Sequence, residues 1–164
     1  MIRFLSLIVA LSMLSGTAWG DPLSPPSGAR LLLRAAGEGV QIYTCTQNSS
    51  GLAWSLKAPE AVLRDAAGNV VGKHFAGPSW EASDGSTVVG EVVGRADAPG
   101  GEAIPWLLLR AKSHTGAGQF AEIAFIQRID TVGGLAPATG CDAGTQGREV
   151  RVPYSAAYLF FSGR

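Results

Sequence analysis

The chain has 164 residues, of which 46% are hydrophobic, and its formal charge at pH 7 is +0, from 13 cationic and 13 acidic side chains. Because binding to a phosphate backbone depends on a concentrated basic face, this balance argues against a nucleic-acid partner. The absence of any Lys/Arg cluster in the sequence also argues against attraction to anionic membrane surfaces.

Residues 1–20 have the features of a secretory signal peptide. Arg3 supplies the positive end, an apolar stretch runs from Phe4 to Leu14, and Ala18-Trp19-Gly20 forms a small-x-small cleavage pattern. The apolar stretch is shorter than the ~20 residues that a membrane span needs. We therefore expect a secreted protein, extracellular or periplasmic, with no integral membrane segment after cleavage. Retention as an uncleaved anchor is the alternative.

Residues 21–29 contain three prolines and predict an extended lead-in that adds nothing to the core. Two short runs rich in apolar residues follow, Leu31–Ala36 and Val40–Cys45, and both predict strands. The segment 37–39, Gly-Glu-Gly, lies between them and predicts a hairpin. In the second run Gln41, Tyr43 and Cys45 share one face of the strand.

The next part of the chain predicts two further hairpins. One spans Ala61–Phe75, and the other spans Ser79–Arg95 with an Asp-Gly turn at residues 84 and 85. Pro59 is expected to interrupt the strand before the first of them, because proline cannot donate a hydrogen bond to a central ladder.

The second half of the mature chain is also strand-like. Ile104–Ala111 is nearly continuously apolar, which predicts a strand covered on both faces. Gln119–Ile129 alternates, with Gln127 among its apolar positions, so this amide is either a hydrogen-bond hub or part of a pocket floor. A long connection is expected at 130–147, and strand-like runs end the chain. Residues 30–164 are therefore predicted to form a single all-β domain, an antiparallel sandwich or small barrel.

The two cysteines, Cys45 and Cys141, have no C-x-x-C spacing. In an exported protein an even cysteine count favours a disulfide, so we expect one bridge between them. A redox or nucleophilic thiol is the alternative.

The segment 74–86, HFAGPSWEASDGS, concentrates groups that could contact a ligand. Trp80 lies near two acceptors, Glu81 and Asp84, a combination suited to stacking on sugar rings and accepting hydrogen bonds from their hydroxyls. We predict a ligand-binding site built from His74, Trp80, Glu81 and Asp84, with Arg128 as a further member. Trp54 and Trp106, by contrast, are expected in the core.

Other motifs in the sequence are weaker. His74, Asp84 and Ser86 are the residue types of a hydrolase triad, but no nucleophile elbow is present and Ser86 is better suited to the turn. Metal binding by His74 with His114 lacks ligand spacing. The G-x-G-x-x-A pattern at 116–121 precedes a strand rather than a helix. We therefore expect no catalytic residues, no metal and no cofactor.

Several motifs in order resemble a known family: Gly39–Cys45, Ala58–Ala61, Gly72–Glu81, Asp84–Ser86, Ile104–Leu108 and Gln127-Arg128. The chain is similar over about residues 28–161 to exported bacterial and fungal proteins catalogued as domain of unknown function 3455. The resemblance implies a single exported domain and assigns no activity.

These observations favour a non-enzymatic exported domain that binds a small or glycan-like ligand or a cell-envelope partner. Two alternatives remain open: a secreted hydrolase using His74 with a carboxylate, and a structural or stress-protective envelope protein without a pocket.

Overall fold

The computed structural model describes residues 21–163, and nearly all of the regular structure there is β-strand. The predicted signal peptide at 1–20 lies outside the described residues. The strands of the described part are β1 (Arg30–Asn48), β2 (Gly51–Arg64), β3 (Val70–Phe75), β4 (Ser79–Ala82), β5 (Thr87–Ala96), β6 (Trp106–Thr115), β7 (Ile123–Gly133) and β8 (Glu149–Ser162).

Each strand pairs antiparallel with the next one in sequence, and β8 pairs antiparallel with β1 to close the barrel. Closure removes the unpaired strand edges that an open sheet would expose. The predicted all-β antiparallel class is therefore confirmed, and of the two architectures left open the chain adopts the barrel.

The hairpin predicted at residues 37–39 is wrong, because β1 runs through them without a turn. A Cβ on Gly39 would lie 2.0 Å from the backbone oxygen of Glu60, and one on Gly37 would lie 2.5 Å from the ring of Tyr158. These glycines lie where another strand or ring approaches the backbone closely, and such close approach is a common reason for glycine within a strand.

The predicted interruption at Pro59 is also wrong, since β2 continues through it. On the side of β2 away from β1, pairing with β3 covers only Ala61–Arg64. A proline before that stretch removes no hydrogen bond to β3, so the strand tolerates it. A bulge just before it, where Ile42 pairs with Ala58 and Tyr43 with Leu56, shifts the register of β2 against β1.

The barrel interior is packed at one end. Leu63, Val88, Ile123, Ile126 and Phe160 point into this end and are fully buried. The β6–β7 connection adds Phe120, whose ring stacks on that of Phe160 with 4.8 Å between centroids. Trp80 and Tyr158 belong to the same buried cluster and also border the space at the other end of the barrel.

The segment before β1 contributes more than predicted. Leu23 is buried, and its carbonyl accepts a hydrogen bond of 2.8 Å from the amide of Gln127. The close approach of Pro22 to Gly94 fixes the same segment against the barrel wall. The lead-in therefore covers part of the outer face, and Gln127 is a hydrogen-bond partner for it rather than part of the interior cavity lining.

The predicted disulfide is confirmed: Cys45, near the end of β1, is bonded to Cys141 in the β7–β8 connection. This connection is shorter than predicted, because β7 continues to Gly133. Across residues 21–163, no helical segment is both long and apolar enough to cross a membrane.

Candidate functional site: a cavity inside the barrel

A cavity of about 830 Å³ occupies the barrel beyond the packed end. Sites for small organic ligands are typically ~300–1,000 Å³ and mostly apolar. The wall of this cavity is mainly apolar as well, with contributions from Leu56, Pro59, Ile104, Leu107, Leu109 and Leu135. Three of the apolar lining residues, Leu56, Val92 and Leu135, are also exposed to solvent, so the cavity opens through an apolar rim.

His74 and Trp80 form a buried pair in the cavity wall. β3 and β4 form a hairpin around residues 76–78, and its register places His74 directly opposite Trp80. Opposed side chains on one face of an antiparallel pair lie close enough to interact. The two rings stack with 4.4 Å between centroids and 9° between planes, and both residues are buried.

The hydrogen bond of His74 fixes its tautomer. Its Nδ1 lies 2.8 Å from the carbonyl oxygen of Ser79, which can only accept, so Nδ1 carries the proton and Nε2 is an acceptor. The pKa of His74 is lowered from 6.5 to about 4: burial is the main cause and the positive charge of Arg128 adds to it, while the hydrogen bond to Ser79 acts in the opposite direction. His74 is therefore neutral at pH 7.

Tyr43, Tyr158 and Arg128 continue the polar wall. The hydroxyls of Tyr154 and Tyr158 are 3.0 Å apart, and burial raises the pKa of both. Arg128 lies on β7, half-buried, and donates from Nε and Nη2 to the carbonyl oxygen of Pro105 at 3.2 and 2.7 Å. None of the ion pairs formed within residues 21–163 involves Arg128.

Two buried donors in the cavity wall lack partners. Gln41 and Trp80 both line the cavity and are 2% and 1% exposed, respectively. The amide nitrogen of Gln41 and the indole nitrogen of Trp80 make no hydrogen bond with any other described residue. Buried polar groups normally have partners, so these donors are candidates for contact with a ligand.

The charged groups of the lining have one sign. Lys57, Arg95 and Arg128 are among the lining residues, and no Asp or Glu from the described chain is. Lys57 also forms an exposed ion pair with Glu149 at 2.5 Å. The electrostatic potential is therefore positive along part of the cavity wall.

The five predicted ligand-binding residues do not all converge. His74, Trp80 and Arg128 line the cavity. Glu81 follows Trp80 in β4 and points to the opposite face, where it forms an ion pair of 3.0 Å with Lys73. Asp84 is an exposed turn residue away from the cavity lining. A ligand-binding role for any of the five stays a prediction.

Asp84 instead links the β4–β5 turn to the β6–β7 connection. Its carboxylate accepts hydrogen bonds from the backbone and hydroxyl of Ser86, at 2.9 and 2.6 Å, and from the backbone of Gln119 at 2.8 Å. These hydrogen bonds lower the pKa of Asp84, and the bond from the Ser86 hydroxyl has the largest effect. The Ser86 hydroxyl also accepts a bond from the backbone of Phe120. Asp84 and Ser86 thus connect two loops, and neither residue lines the cavity as His74 does.

The expectation that Trp54 and Trp106 belong to the core is wrong, because both are half-buried. The indole of Trp54 donates to the carbonyl oxygen of Thr139 at 2.9 Å and so helps to hold the β7–β8 connection.

The sequence prediction of the site missed Gln41, Tyr43 and Tyr158. The alternation of β1 was the available signal, since it places Gln41 and Tyr43 on the same inward face.

These features define a class: a closed eight-stranded antiparallel barrel with an interior cavity that has an apolar wall and a cationic, donor-rich polar side. Residues 26–162 match the model of the family described as "Protein of unknown function (DUF3455)", and the chain belongs to that family. The resemblance inferred from the sequence is thereby confirmed. No curated protein and no solved structure matches the chain.

Proposed function

We propose that this protein is a non-enzymatic binding protein that holds a small, mainly apolar molecule in its barrel cavity. The observation that carries the proposal is the cavity itself, about 830 Å³ in volume, whose lining includes Gln41 and Trp80, two residues with buried donors that lack partners among residues 21–163. Eight-stranded barrels can hold one small ligand in this way.

The energetics favour an occupant with both apolar and acceptor groups. Burial of apolar ligand surface contributes about 25 cal/mol per Å² removed from water. A buried donor without a partner costs about 1–3 kcal/mol, which a ligand acceptor at Gln41 or Trp80 would offset. Both contributions are made only when a ligand is in the cavity.

The apolar ligand is better supported than a glycan or an envelope partner. A sugar ring needs an accessible indole face, whereas Trp80 is 1% exposed and one of its faces is covered by His74. The glycan-like ligand and the cell-envelope partner therefore stay predictions without further support. The alternative of a structural protein without a pocket is also less well supported, because this barrel contains a cavity.

The hydrolase alternative lacks the arrangement it needs. A general base of the Ser-His-Asp type has one ring nitrogen oriented by a carboxylate. In His74 the nitrogen that carries the proton is bonded to the Ser79 carbonyl, and no Asp or Glu of the described chain lines the cavity. We therefore propose binding rather than turnover.

Secretion is part of the same proposal. The Cys45–Cys141 disulfide supports it, because disulfides persist in oxidising compartments and are rare in the cytosol. The sequence features of residues 1–20 point in the same direction.

The proposal is tested by titrating the purified protein with N-phenyl-1-naphthylamine, an uncharged apolar dye whose fluorescence rises when it leaves water. We expect saturable binding at one site. Ala58 lines the cavity on β2, so Ala58→Trp is expected to weaken binding by at least about tenfold, equivalent to about 1.4 kcal/mol.

Ala53→Trp is the matched control, because Ala53 is also half-buried on β2 but does not line the cavity. This variant is expected to bind the dye as the unsubstituted protein does. If Ala58→Trp fails to fold, Ala136→Trp at the cavity rim takes its place, with Ala138→Trp as control. No saturable binding, or equal loss in the cavity variant and its control, would refute the proposal.

A further inference from the structure

We infer that the ligand of the cavity is an amphiphile whose headgroup is an oxyanion, and that Arg128 binds this headgroup. The inference rests on the proposed function and specifies the chemical class of the ligand. It is drawn from the geometry of Arg128, from the charges around it and from the donors that share its cavity.

The position of Arg128 leaves part of its guanidinium available. The group has five N–H donors in a planar fork that matches the geometry of a carboxylate. Two of its nitrogens, Nε and Nη2, are engaged by the single carbonyl oxygen of Pro105. This contact fixes the plane of the guanidinium at the cavity wall. Arg128 also contacts the Tyr158 hydroxyl, which lowers the pKa of that tyrosine against the larger effect of burial. With five N–H donors, the guanidinium still has N–H groups for another acceptor.

The charge of Arg128 is not neutralised by the groups that face it. Tyr43 from β1, and Tyr154 and Tyr158 from β8, keep their protons at neutral pH because burial raises the pKa of each. His74 from β3 is neutral as well. The other charged lining residues of the described chain, Lys57 on β2 and Arg95 on β5, carry the same sign.

A half-buried cation without a counterion is unfavourable, because its lost hydration is not replaced by an opposite charge. A ligand anion inside the cavity would supply that charge. Arg128 thus selects for an oxyanion in a way that the apolar wall alone does not.

The unpartnered donors point to the same chemistry. The amide of Gln41 and the indole of Trp80 are buried in the wall of the cavity that Arg128 lines. Oxyanion oxygens accept several hydrogen bonds, so a headgroup bound to Arg128 has acceptor capacity left for a second donor of the cavity wall. The apolar remainder of the ligand would then lie against the leucines near the rim.

The test compares octanoate with 1-octanol, which share a chain length and differ in headgroup charge, by isothermal titration calorimetry at pH 7.5. We expect octanoate to bind at least about tenfold more tightly than 1-octanol, since charged hydrogen bonds are stronger than neutral ones. In Arg128→Met this preference should disappear, because octanoate loses the charged partner of its headgroup. Arg34→Met should keep the preference, because Arg34 pairs with Asp130 and does not line the cavity.

The outcomes separate this inference from the proposed function. Equal affinities for octanoate and 1-octanol in the unsubstituted protein would overturn the inference and leave the apolar cavity site standing. Binding of neither compound would overturn both. A preference for octanoate that survives in Arg128→Met would overturn the role of Arg128. If that variant does not fold, Arg128→Lys replaces it, and its loss of the planar fork is expected to reduce the preference.

Discussion

The buried histidine makes the stability of the barrel depend on pH. In the folded protein the pKa of His74 is about 4, against 6.5 for an exposed histidine, chiefly because burial disfavours the charged ring. Between these two values the unfolded chain binds a proton that the folded chain does not. The free energy of unfolding therefore falls as the pH is lowered from about 6.5 to about 4.

The magnitude follows from the same two values. Each pH unit in this window lowers the free energy of unfolding by up to about 1.4 kcal/mol, so His74 contributes a loss of about 3 kcal/mol in total. Urea unfolding at pH 4.5, 5.5, 6.5 and 7.5 measures this loss. In His74→Gln the position does not titrate, so the pH dependence of unfolding should be shallower by about 1 kcal/mol per pH unit near pH 5.

His114→Gln is the matched control, because His114 is the only other histidine of the chain. His114 is exposed on β6, with Nε2 hydrogen-bonded to the Ile123 carbonyl, so this variant leaves the buried His74 in place and should keep the pH dependence that His74 causes. Carboxylates titrate in all three proteins and cancel in the comparison. Equal slopes in His74→Gln and the unsubstituted protein would refute the conclusion that His74 is buried in its neutral form.

Three further predictions concern the barrel itself. Replacing both Cys45 and Cys141 by serine should lower the free energy of unfolding in urea by at most about 4–5 kcal/mol, because the bridge closes a loop of sequence separation 96; an unchanged value would contradict this. Gly39→Ala should lower the free energy of unfolding by about 3 kcal/mol, because the added methyl group overlaps the Glu60 backbone. Gly68→Ala is its control: the backbone there has a positive φ but no atoms lie nearby, so the loss should be about 1 kcal/mol. Asp84→Ala should lower the thermal midpoint by removing the hydrogen bonds to Ser86 and Gln119; an unchanged midpoint would show that this link is dispensable.

The sequence was sufficient to predict the strand-rich class and the disulfide. It failed at positions where local patterns compete with contacts between distant segments. Gly37 and Gly39 look like turn residues along the chain, and only the approach of Tyr158 and of the Glu60 backbone explains them as strand residues. The predicted interruption at Pro59 is wrong for a related reason: the effect of the proline depends on where β3 begins to pair with β2.

The candidate site shows the same division. His74 and Trp80 stood out because titratable and aromatic groups are dense in that segment, and the hairpin between them could have been inferred from the turn residues at 76–78. Glu81 was included by proximity in sequence, yet alternation along β4 directs it away from Trp80 and towards Lys73. Gln41 and Tyr158 come from strands far away in sequence, and only barrel closure between β1 and β8 brings them to one wall.

The central claim is that a ligand binds inside the barrel, beside Trp80. The most direct measurement is an NMR titration of the indole N–H signals with N-phenyl-1-naphthylamine. The account predicts a saturable shift of the Trp80 signal, since Trp80 lines the cavity, and an unchanged signal from Trp54, which does not line it and donates its N–H to Thr139. A shift of Trp54 with Trp80 unchanged, or no saturable shift of either, would contradict binding in the cavity.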